Sequence, residues 1–321
     1  MKKRWSTILF FLVSIHFTHA NTKASPPIVF PKAEVVNQYT TRIPFKLVDH
    51  LIVVEAELKD EKGNFIIDTG SEALILNSVH FDNLYEFQKK ATSASGVSDV
   101  LDYSYERKVK EFNLSHFKLQ NKVSDVINLS HIENSKKIKL LGIIGYSILK
   151  DFEVFVDLHL NQITLTKVDK HGNMLNDKVY LETIVDSLDF NLKRHTIVVD
   201  GFINTQKVRL GIDTAAEFNQ INKSVHKKVL RYFVPKKRLK LNGVSGKTIR
   251  VLAGKLHRVQ LSDKVYFGPM YTVLTNLSQM NEAFGTQLDG ILGYEFFAQK
   301  RTIINYKKKK LYFIDYPLQI E

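Results

Sequence analysis

Residues 51–70 read LIVVEAELKDEKGNFIIDTG, and residues 196–215 read TIVVDGFINTQKVRLGIDTA. The two stretches align without a gap and are identical at seven of twenty positions. Most of the remaining pairs keep the polarity of the side chain. Each stretch contains an Asp-Thr pair near its end, Asp68-Thr69 and Asp213-Thr214, so the chain carries this turn twice.

Three further landmarks repeat in the same order after each Asp-Thr pair. They are Ser78-Val79-His80 and Ser224-Val225-His226, then Gly96-Val97-Ser98 and Gly243-Val244-Ser245, and finally LLGIIGY at 140–146 and LDGILGY at 288–294. The offset between the copies stays between 145 and 148 residues throughout. Four landmarks in one order at nearly one offset predict the duplication of a whole domain.

Each copy is predicted to be mostly β, so the expected fold class is all-β. Runs of β-branched residues that end in turn residues predict strands, and Ser78 and Ser224 are suitable N-caps for short helices. The predicted elements are strands at 52–58, 65–67, 197–203 and 210–212, helices at 79–89 and 225–233, and closing hairpins at 152–157 with 162–165 and at 302–305 with 311–313.

The N-terminus has the layout of a secretory signal. Lys2, Lys3 and Arg4 precede an apolar run at 8–17, and small or short residues follow as far as Ala20. An uncleaved anchor is the alternative interpretation. The predicted division of the chain is a signal peptide at 1–20, a leader at 21–44 that either packs loosely or adds an edge strand, an N-terminal domain at 45–168, a linker at 167–178, and a C-terminal domain at 178–317.

The composition excludes several classes of site. There is no cysteine, which removes disulfides, thiolate nucleophiles and zinc–thiolate centres. An exported chain of 321 residues without disulfides is typical of a bacterial periplasmic or secreted protein. The 11 histidines form no His-Glu-x-x-His pattern, and no phosphate-binding glycine loop precedes a helix. We therefore expect no metal, no cofactor, and no membrane segment once the signal is removed.

The chain is basic, with a formal net charge of +13. A basic surface attracts anionic lipids, acidic peptides or nucleic acid. The lysines look scattered, and the densest run, Lys307 to Lys310, lies between two apolar strands as the charged tip of a hairpin. We therefore expect no nucleic-acid partner.

The two Asp-Thr turns have a chemical use when they occur as a pair. Each places a carboxylate at the end of a buried strand, and two-fold pseudo-symmetry would bring the two turns face to face. Close carboxylates in a dry cleft cannot both ionise easily, so Asp68 and Asp213 would share one proton. The ionised member can deprotonate a water, and the protonated member can donate to a carbonyl oxygen. Neither step needs a metal or a covalent intermediate.

On these residues the chain resembles the pepsin and retropepsin superfamily of aspartic peptidases, over about residues 45–317. The landmarks of that family are an apolar pair before Asp-Thr/Ser-Gly, a flap hairpin with glycine, and a later apolar-apolar-Gly segment. They match Ile66-Ile67-Asp68-Thr69-Gly70, Gly96-Val97-Ser98 and Ile143-Ile144-Gly145, then Gly211-Ile212-Asp213-Thr214-Ala215, Gly243-Val244-Ser245 and Ile291-Leu292-Gly293. The resemblance implies a bilobal pepsin-like fold, made by tandem duplication of a retropepsin-like β domain.

The resemblance also implies roles for individual residues. Asp68 and Asp213 would be the catalytic dyad of an aspartic endopeptidase, and Thr69 and Thr214 would hydrogen-bond across the domain interface. Gly70 would place a backbone N–H near the shared water. Three further roles follow: Ser71 would brace the outer oxygen of Asp68, Gly96-Val97-Ser98 and Gly243-Val244-Ser245 would be flap tips over the substrate, and the substrate would be an extended peptide held by main-chain hydrogen bonds.

The second turn departs from the family pattern. Ala215 replaces the usual glycine, where a positive φ would be strained, and Ala216 offers Asp213 no hydroxyl. An active enzyme would favour mildly acidic pH, with the missing hydroxyl shifting the optimum upward. The alternative is a catalytically silent peptide-binding protein on the same fold. A domain that dimerises with another copy is less favoured than a monomer, because one chain already holds both half-sites.

Overall fold

A computed structural model of the protein describes residues 28–81, 88–95, 100–176, 179–180, 183–242 and 248–314. The predicted signal peptide at 1–20 lies outside the described residues. So do both predicted flap tips, Gly96-Val97-Ser98 and Gly243-Val244-Ser245. Strands are the predominant secondary structure of the described residues, which confirms the all-β prediction.

In the first half of the chain, strands of 3 to 15 residues are accompanied by helices of no more than two turns. In chain order the elements are β1 (Glu34–Asn37), β2 (Thr40–Pro44), β3 (Lys46–Val48), β4 (Leu51–Leu58), β5 (Glu61–Ile67), β6 (Leu74–Asn77), α1 (Ser78–Phe81), β7 (Gln88–Ser95), β8 (Val100–Leu114), β9 (Phe117–Ile127), α2 (Ser130–Lys136), β10 (Leu140–Ile144), α3 (Tyr146–Leu149), β11 (Phe152–Asp157) and β12 (Gln162–Lys167).

The second half continues in the same style. Its elements are β13 (Ile184–Asp189), β14 (Asn191–Lys193), β15 (Thr196–Ile203), β16 (Gln206–Ile212), β17 (Asn219–Asn222), α4 (Lys227–Leu230), β18 (Phe233–Asn242), β19 (Thr248–Leu256), β20 (Val259–Gln260), β21 (Met270–Thr275), α5 (Ser278–Phe284), β22 (Gly290–Leu292), α6 (Tyr294–Gln299), β23 (Arg301–Asn305) and β24 (Lys310–Ile314). None of the described helices is both long and apolar enough to cross a bilayer.

The strands form three sheets. The first sheet has eight strands in the order β3-β4-β5-β10-β6-β9-β8-β7, and an additional β4–β8 pairing curls it towards a barrel. The second has nine strands, in the order β14-β15-β16-β22-β17-β21-β19-β18, with β20 paired to β15. The third has seven strands in the order β1-β2-β12-β11-β23-β24-β13, and we call it the shared sheet because it takes strands from both halves of the chain.

The shared sheet joins the two predicted domains. The two predicted closing hairpins are confirmed as β11–β12 and β23–β24. They also pair with each other, because β11 runs antiparallel to β23 with Phe155 opposite Ile303. The described part of the leader adds β1 and β2 at one edge of this sheet, which confirms the edge-strand alternative.

One apolar core continues through both halves. It includes the fully buried rings of Phe65 and Phe112 in the first half and Phe296 and Phe313 in the second. Burying an aromatic side chain contributes about 1.5–3 kcal/mol each, so this shared core stabilises the association of the halves as well as each half.

Both predicted helices are wrong in extent. Of the first, Ser78–Phe81 is described as helix, and positions 88 and 89 belong instead to a strand that begins at Gln88 and pairs with β8. The second contains only Lys227–Leu230, because Phe233 begins β18. Its cap is also not the predicted Ser224. The ring Nδ1 of His226 accepts the backbone N–H of Lys228 at 3.2 Å instead.

Candidate active site

The two aspartates follow buried strands that end beside a parallel neighbour. Asp68 comes directly after β5, which runs parallel to β10, and its backbone N–H donates to the Ile144 carbonyl at 3.0 Å. Asp213 comes directly after β16, which runs parallel to β22, and its N–H donates to the Leu292 carbonyl at 3.0 Å. Each carboxylate is therefore held on a rigid strand end.

One glycine behind each turn allows another part of the backbone to pass close to it. A Cβ added to Gly145 would lie 2.3 Å from the Ala73 carbonyl oxygen, and one added to Gly293 would lie 2.1 Å from the Ala216 carbonyl oxygen. Real Cβ atoms do not approach a carbonyl oxygen so closely, which is why only glycine fits. The glycine of each apolar-apolar-Gly landmark is therefore required by close packing of the backbone.

Reciprocal hydrogen bonds join the two turns. The N–H of Thr69 donates to Thr214 Oγ1 at 3.0 Å, and the N–H of Thr214 donates to Thr69 Oγ1 at 3.0 Å. Each hydroxyl then donates to a carbonyl of the opposite strand, Thr214 to Ile67 at 2.8 Å and Thr69 to Ile212 at 3.4 Å. All of these groups are buried, so the bonds are shielded from water. The cross-domain threonine contact implied by the resemblance is present.

The two carboxyl groups have matching surroundings. The N–H of Gly70 donates to Asp68 Oδ1 at 2.8 Å, and the N–H of Ala215 donates to Asp213 Oδ1 at 2.8 Å. The other oxygen of each group, Oδ2, is buried and accepts no hydrogen bond from any residue that the structure describes. A buried polar atom without a partner is costly, and such atoms are expected where a ligand or a reacting water binds.

Burial raises the pKa of both carboxyl groups. The pKa of Asp68 is well above its usual value because of burial first and then the nearby charge of Asp213. Burial raises the pKa of Asp213 to about 7, against the opposing effect of the hydrogen bond from the Ala215 N–H. Two buried carboxyl groups with raised pKa values favour a state in which the pair holds one proton.

Ala215 does not disturb the second turn. It is fully buried, packs into an apolar cluster with Leu51 and Ile66, and is not among the described residues with positive φ. Gly70 does not adopt a positive φ either, so alanine meets no backbone penalty at the equivalent position. The strain expected at Ala215 is absent.

The role predicted for Ser71 is wrong. Its hydroxyl donates to the carbonyl of Ala73 at 3.5 Å, along its own turn, and does not reach the outer oxygen of Asp68. The backbone N–H of Ser71, rather than its hydroxyl, lowers the pKa of Asp68. It follows that Ala216, at the equivalent position, removes no stabiliser from Asp213.

Two further contacts between the halves were missed at the sequence level. His195 is buried with Nδ1 3.7 Å from Glu72, and burial lowers the pKa of its ring to about 4. His50 contacts the backbone carbonyl of Glu217 through Nδ1 at 3.1 Å. Both the histidines and the glutamates are separated by 145 residues, the offset of the repeat. The recurrence of both residue types at this offset is the sequence feature that could have identified the two contacts.

The second of these contacts is reinforced by a buried ion pair. Lys136 Nζ lies 2.7 Å from the Glu217 carboxylate and 3.2 Å from Asp49, and the Lys136 and Glu217 side chains are almost fully buried. Burial raises the pKa of Glu217 to about 8, while the Lys136 ammonium lowers it. The pair ties α2 to the residue that follows the Asp213 turn.

A tyrosine also lies near the aspartates. Tyr306 is buried against Tyr146 and Phe190, with ring centroids 5.2 Å and 6.3 Å away, and its hydroxyl has no partner among the described residues. Burial, with smaller contributions from Tyr146, Asp68 and Asp213, raises its pKa well above the usual value. Tyr306 is therefore neutral and adds no charge next to the carboxyl pair.

Replacing Thr214 by Val is expected to lower the free energy of unfolding by about 2–4 kcal/mol, because the Thr69 N–H and the Ile67 carbonyl both lose a buried partner. Thr214→Ser keeps the hydroxyl and is the matched control, expected to cost about 1 kcal/mol or less. Thr69→Val should lower the free energy of unfolding by less than Thr214→Val, because the hydrogen bond that the Thr69 hydroxyl donates is longer than the one that the Thr214 hydroxyl donates. Urea unfolding measures all three, and equal losses for Thr214→Val and Thr214→Ser would contradict this interpretation.

Among the described side chains, no group of three or more His, Asp or Glu residues is placed to hold a metal ion. No protein-family model matches the chain, and the curated protein sequences contain no significant match to it. The candidate site therefore stands on its own geometry: two buried carboxyl groups on opposed turns that are locked together by two threonines.

Proposed function

We propose that the chain is an aspartic endopeptidase in which Asp68 and Asp213 activate one water molecule. The observation that carries the proposal is the matched pair of buried carboxyl groups, each with one oxygen fixed by a backbone N–H and the other without a partner. A structural role as turn residues would require only the fixed oxygen.

The arrangement of strands supports a duplicated, bilobal fold of the pepsin type. When the first and second sheets are compared position by position, β4, β5, β10 and β6 correspond to β15, β16, β22 and β17. In the first sheet, β10 runs parallel to β5 and antiparallel to β6. In the second sheet, β22 likewise runs parallel to β16 and antiparallel to β17. Each sheet would then supply one aspartate.

We assign the role of base to Asp213 and that of proton donor to Asp68, the group whose pKa is raised well above its usual value. Asp213 as carboxylate takes a proton from the water while the water oxygen bonds to the scissile carbonyl carbon. Asp68 gives its proton to the carbonyl oxygen, which produces a neutral gem-diol. In the second step Asp213 returns its proton to the amide nitrogen, Asp68 takes one from a diol hydroxyl, and the C–N bond breaks to give an acid and an amine.

The proposed substrate is a polypeptide in extended conformation, and the enzyme acts as a monomer outside the cytoplasm. Support for the monomer is that one chain provides both turns of the site. Support for export is the basic, apolar and small-residue order of positions 1–20.

The alternative of a silent peptide-binding protein is motivated by the Ala215-Ala216 sequence. Because Ala215 makes the same hydrogen bond as Gly70, we favour the active enzyme.

Turnover of a peptide mixture tests the proposal. The purified protein should cleave internal peptide bonds of a denatured protein or a peptide library, and mass spectrometry of the products identifies the new termini. Cleavage should proceed unchanged in excess chelator, since neither aspartate needs a metal for the steps above. If the peptides are retained but never cleaved at any pH between acid and neutral, the catalytic proposal fails.

Activity is expected to be highest near neutral pH. The base, Asp213, is ionised only above its raised pKa of about 7, so kcat/KM should fall about tenfold per pH unit below that value. Activity should fall again at high pH, when Asp68 loses the proton that it must donate. Ala216→Ser should leave this profile unchanged, because the equivalent hydroxyl of Ser71 does not reach Asp68. An optimum near pH 4 would contradict the assigned pKa order.

A further inference from the structure

The positive charge of the chain is concentrated in one segment. Between Phe218 and Ser262 there are 12 Lys and Arg residues and no Asp or Glu, in a chain whose formal net charge is +13. The expectation that the lysines are scattered is therefore wrong for this segment. The described elements of this segment are β17, α4, β18, β19 and β20, and we call the β18–β19 pair (Phe233–Asn242 with Thr248–Leu256) the basic hairpin.

The repeat provides an internal control for this charge. The equivalent stretch of the first copy, residues 73–117 at an offset of 145, contains six Asp or Glu and five Lys or Arg. The same kind of hairpin, β7–β8, forms there with nearly balanced charge. The fold of the hairpin thus does not require a net charge of +12, and the excess needs another explanation.

The cations that the structure describes in this segment are exposed, except for the half-buried Lys255, whose ammonium lies 5.5 Å from the Tyr271 ring centroid. Arg238 and Lys240 lie on one face of β18, and Lys240 is directly opposite Arg250 on β19. Like charges directly opposite in an antiparallel pair are destabilising. None of the described residues between 218 and 262 takes part in an ion pair, so no acidic side chain relieves this repulsion. Lys227 and Lys228 on α4, and Arg231 directly after it, add further positive charge to this segment.

The hairpin also presents a free strand edge. β18 is the last strand of the second sheet, and no described strand pairs with its outer side. Lysines on an edge strand are a common device against aggregation, and this accounts for a cation on β18. It does not account for Arg250, which lies on the inner strand, or for the cations of α4.

We propose that the basic hairpin binds an extended acidic segment of a partner polypeptide, which adds to the outer edge of β18 as a further strand. Main-chain hydrogen bonds to the edge would hold the segment, and alternate side chains would select it. One face of β18 carries Arg238 and Lys240, while the other carries Leu239 and Leu241 in an apolar cluster with Val251. The best-fitting segment therefore alternates acidic and apolar residues. This proposal goes beyond peptide cleavage and holds whether or not the dyad is active.

The free edge favours a polypeptide over other polyanions. A lipid surface or a nucleic acid supplies negative charge, but neither can complete the backbone hydrogen bonds of a β-strand. The pattern of two cations separated by a leucine matches a strand of period two, which is the spacing of an extended peptide.

Binding can be measured by fluorescence anisotropy with a labelled peptide that alternates Glu and Val. The Asp213→Asn variant of the full protein is used, so that cleavage does not consume the probe. Replacing Arg238, Lys240 and Arg250 together by Gln should weaken binding by about tenfold or more, since three charge interactions are lost. The matched control replaces three exposed strand lysines elsewhere, Lys46, Lys118 and Lys193, by Gln and should change binding by less than about twofold.

Three comparisons decide the proposal. A peptide of the same composition with N-methyl groups on alternate residues should bind much more weakly, because it cannot complete the strand pairing. Vesicles rich in phosphatidylglycerol and a single-stranded oligonucleotide should bind more weakly than the alternating peptide at matched salt. Equal loss in the control variant, tight binding of the N-methylated peptide, or tighter binding of either polyanion would overturn it.

Discussion

Replacing Arg301 by Met is expected to lower the free energy of unfolding by about 3–5 kcal/mol, because Asp157 would be left as an uncompensated buried charge. Arg301 Nε and Nη2 donate to Asp157 Oδ2 at 3.0 Å and 2.6 Å, and both side chains are at most 2% exposed. The guanidinium also lies over the Phe155 ring at 5.2 Å. The pair connects β11 to β23 in the middle of the shared sheet, so its loss weakens the association of the two halves.

Two variants separate this effect from lost packing. Arg42→Met removes a surface partner of Glu34, whose side chain is 60% exposed, and should cost less than about 1 kcal/mol. Combining Asp157→Asn with Arg301→Met removes both buried charges, while the amide oxygen still accepts the N–H groups of His159 and Leu160, and should recover most of the loss. Urea unfolding of the four proteins gives the comparison. A loss for Arg301→Met no larger than that for Arg42→Met would show that the pair does not hold the sheet together.

The strands that carry the aspartates were predictable because the duplication leaves the same pattern twice. Apolar runs before Asp68 and Asp213, and the glycines at 145 and 293, follow from local chemistry: buried strands need apolar residues, and close backbone approach needs glycine. The apolar runs and the glycines can each be recognised from neighbouring residues, and the second copy of the repeat shows each of them again.

The shared sheet could not be predicted in the same way. Whether β11 pairs with β23 depends on contacts about 150 residues apart, and nothing in either hairpin marks its partner. Helix extent failed for a related reason. The segment that begins at Gln88 has a composition that suits a helix, yet its pairing with β8 makes it a strand, so tertiary contacts override local preference.

The details of the candidate site were harder still. Ser71 and Ala215 were judged by the pattern of a family, whereas their roles depend on hydroxyl direction and on φ, which a sequence pattern does not specify. The Lys136–Glu217 pair and Tyr306 come from distant segments and were not found. The histidine and glutamate contacts were accessible, since both obey the offset of 145 residues.

Asp68→Asn and Asp213→Asn are each expected to lower kcat/KM by about a thousandfold or more, because each removes one of the two proton transfers. Neither variant should be less stable than the parent protein. Burial raises both carboxyl pKa values, so each ionised carboxylate destabilises the fold above the pKa of the unfolded state, and a neutral amide removes that cost. The double variant should be little worse than either single variant, since the two groups act as a unit.

Cleavage of one internally quenched peptide at neutral pH by the parent protein and by Asp213→Asn tests the dyad most directly. The parent should cleave the peptide at an internal bond. The folded variant should show a loss of about a thousandfold in kcat/KM with similar peptide affinity. Cleavage by Asp213→Asn at the parent rate would contradict a mechanism in which the two aspartates share one water.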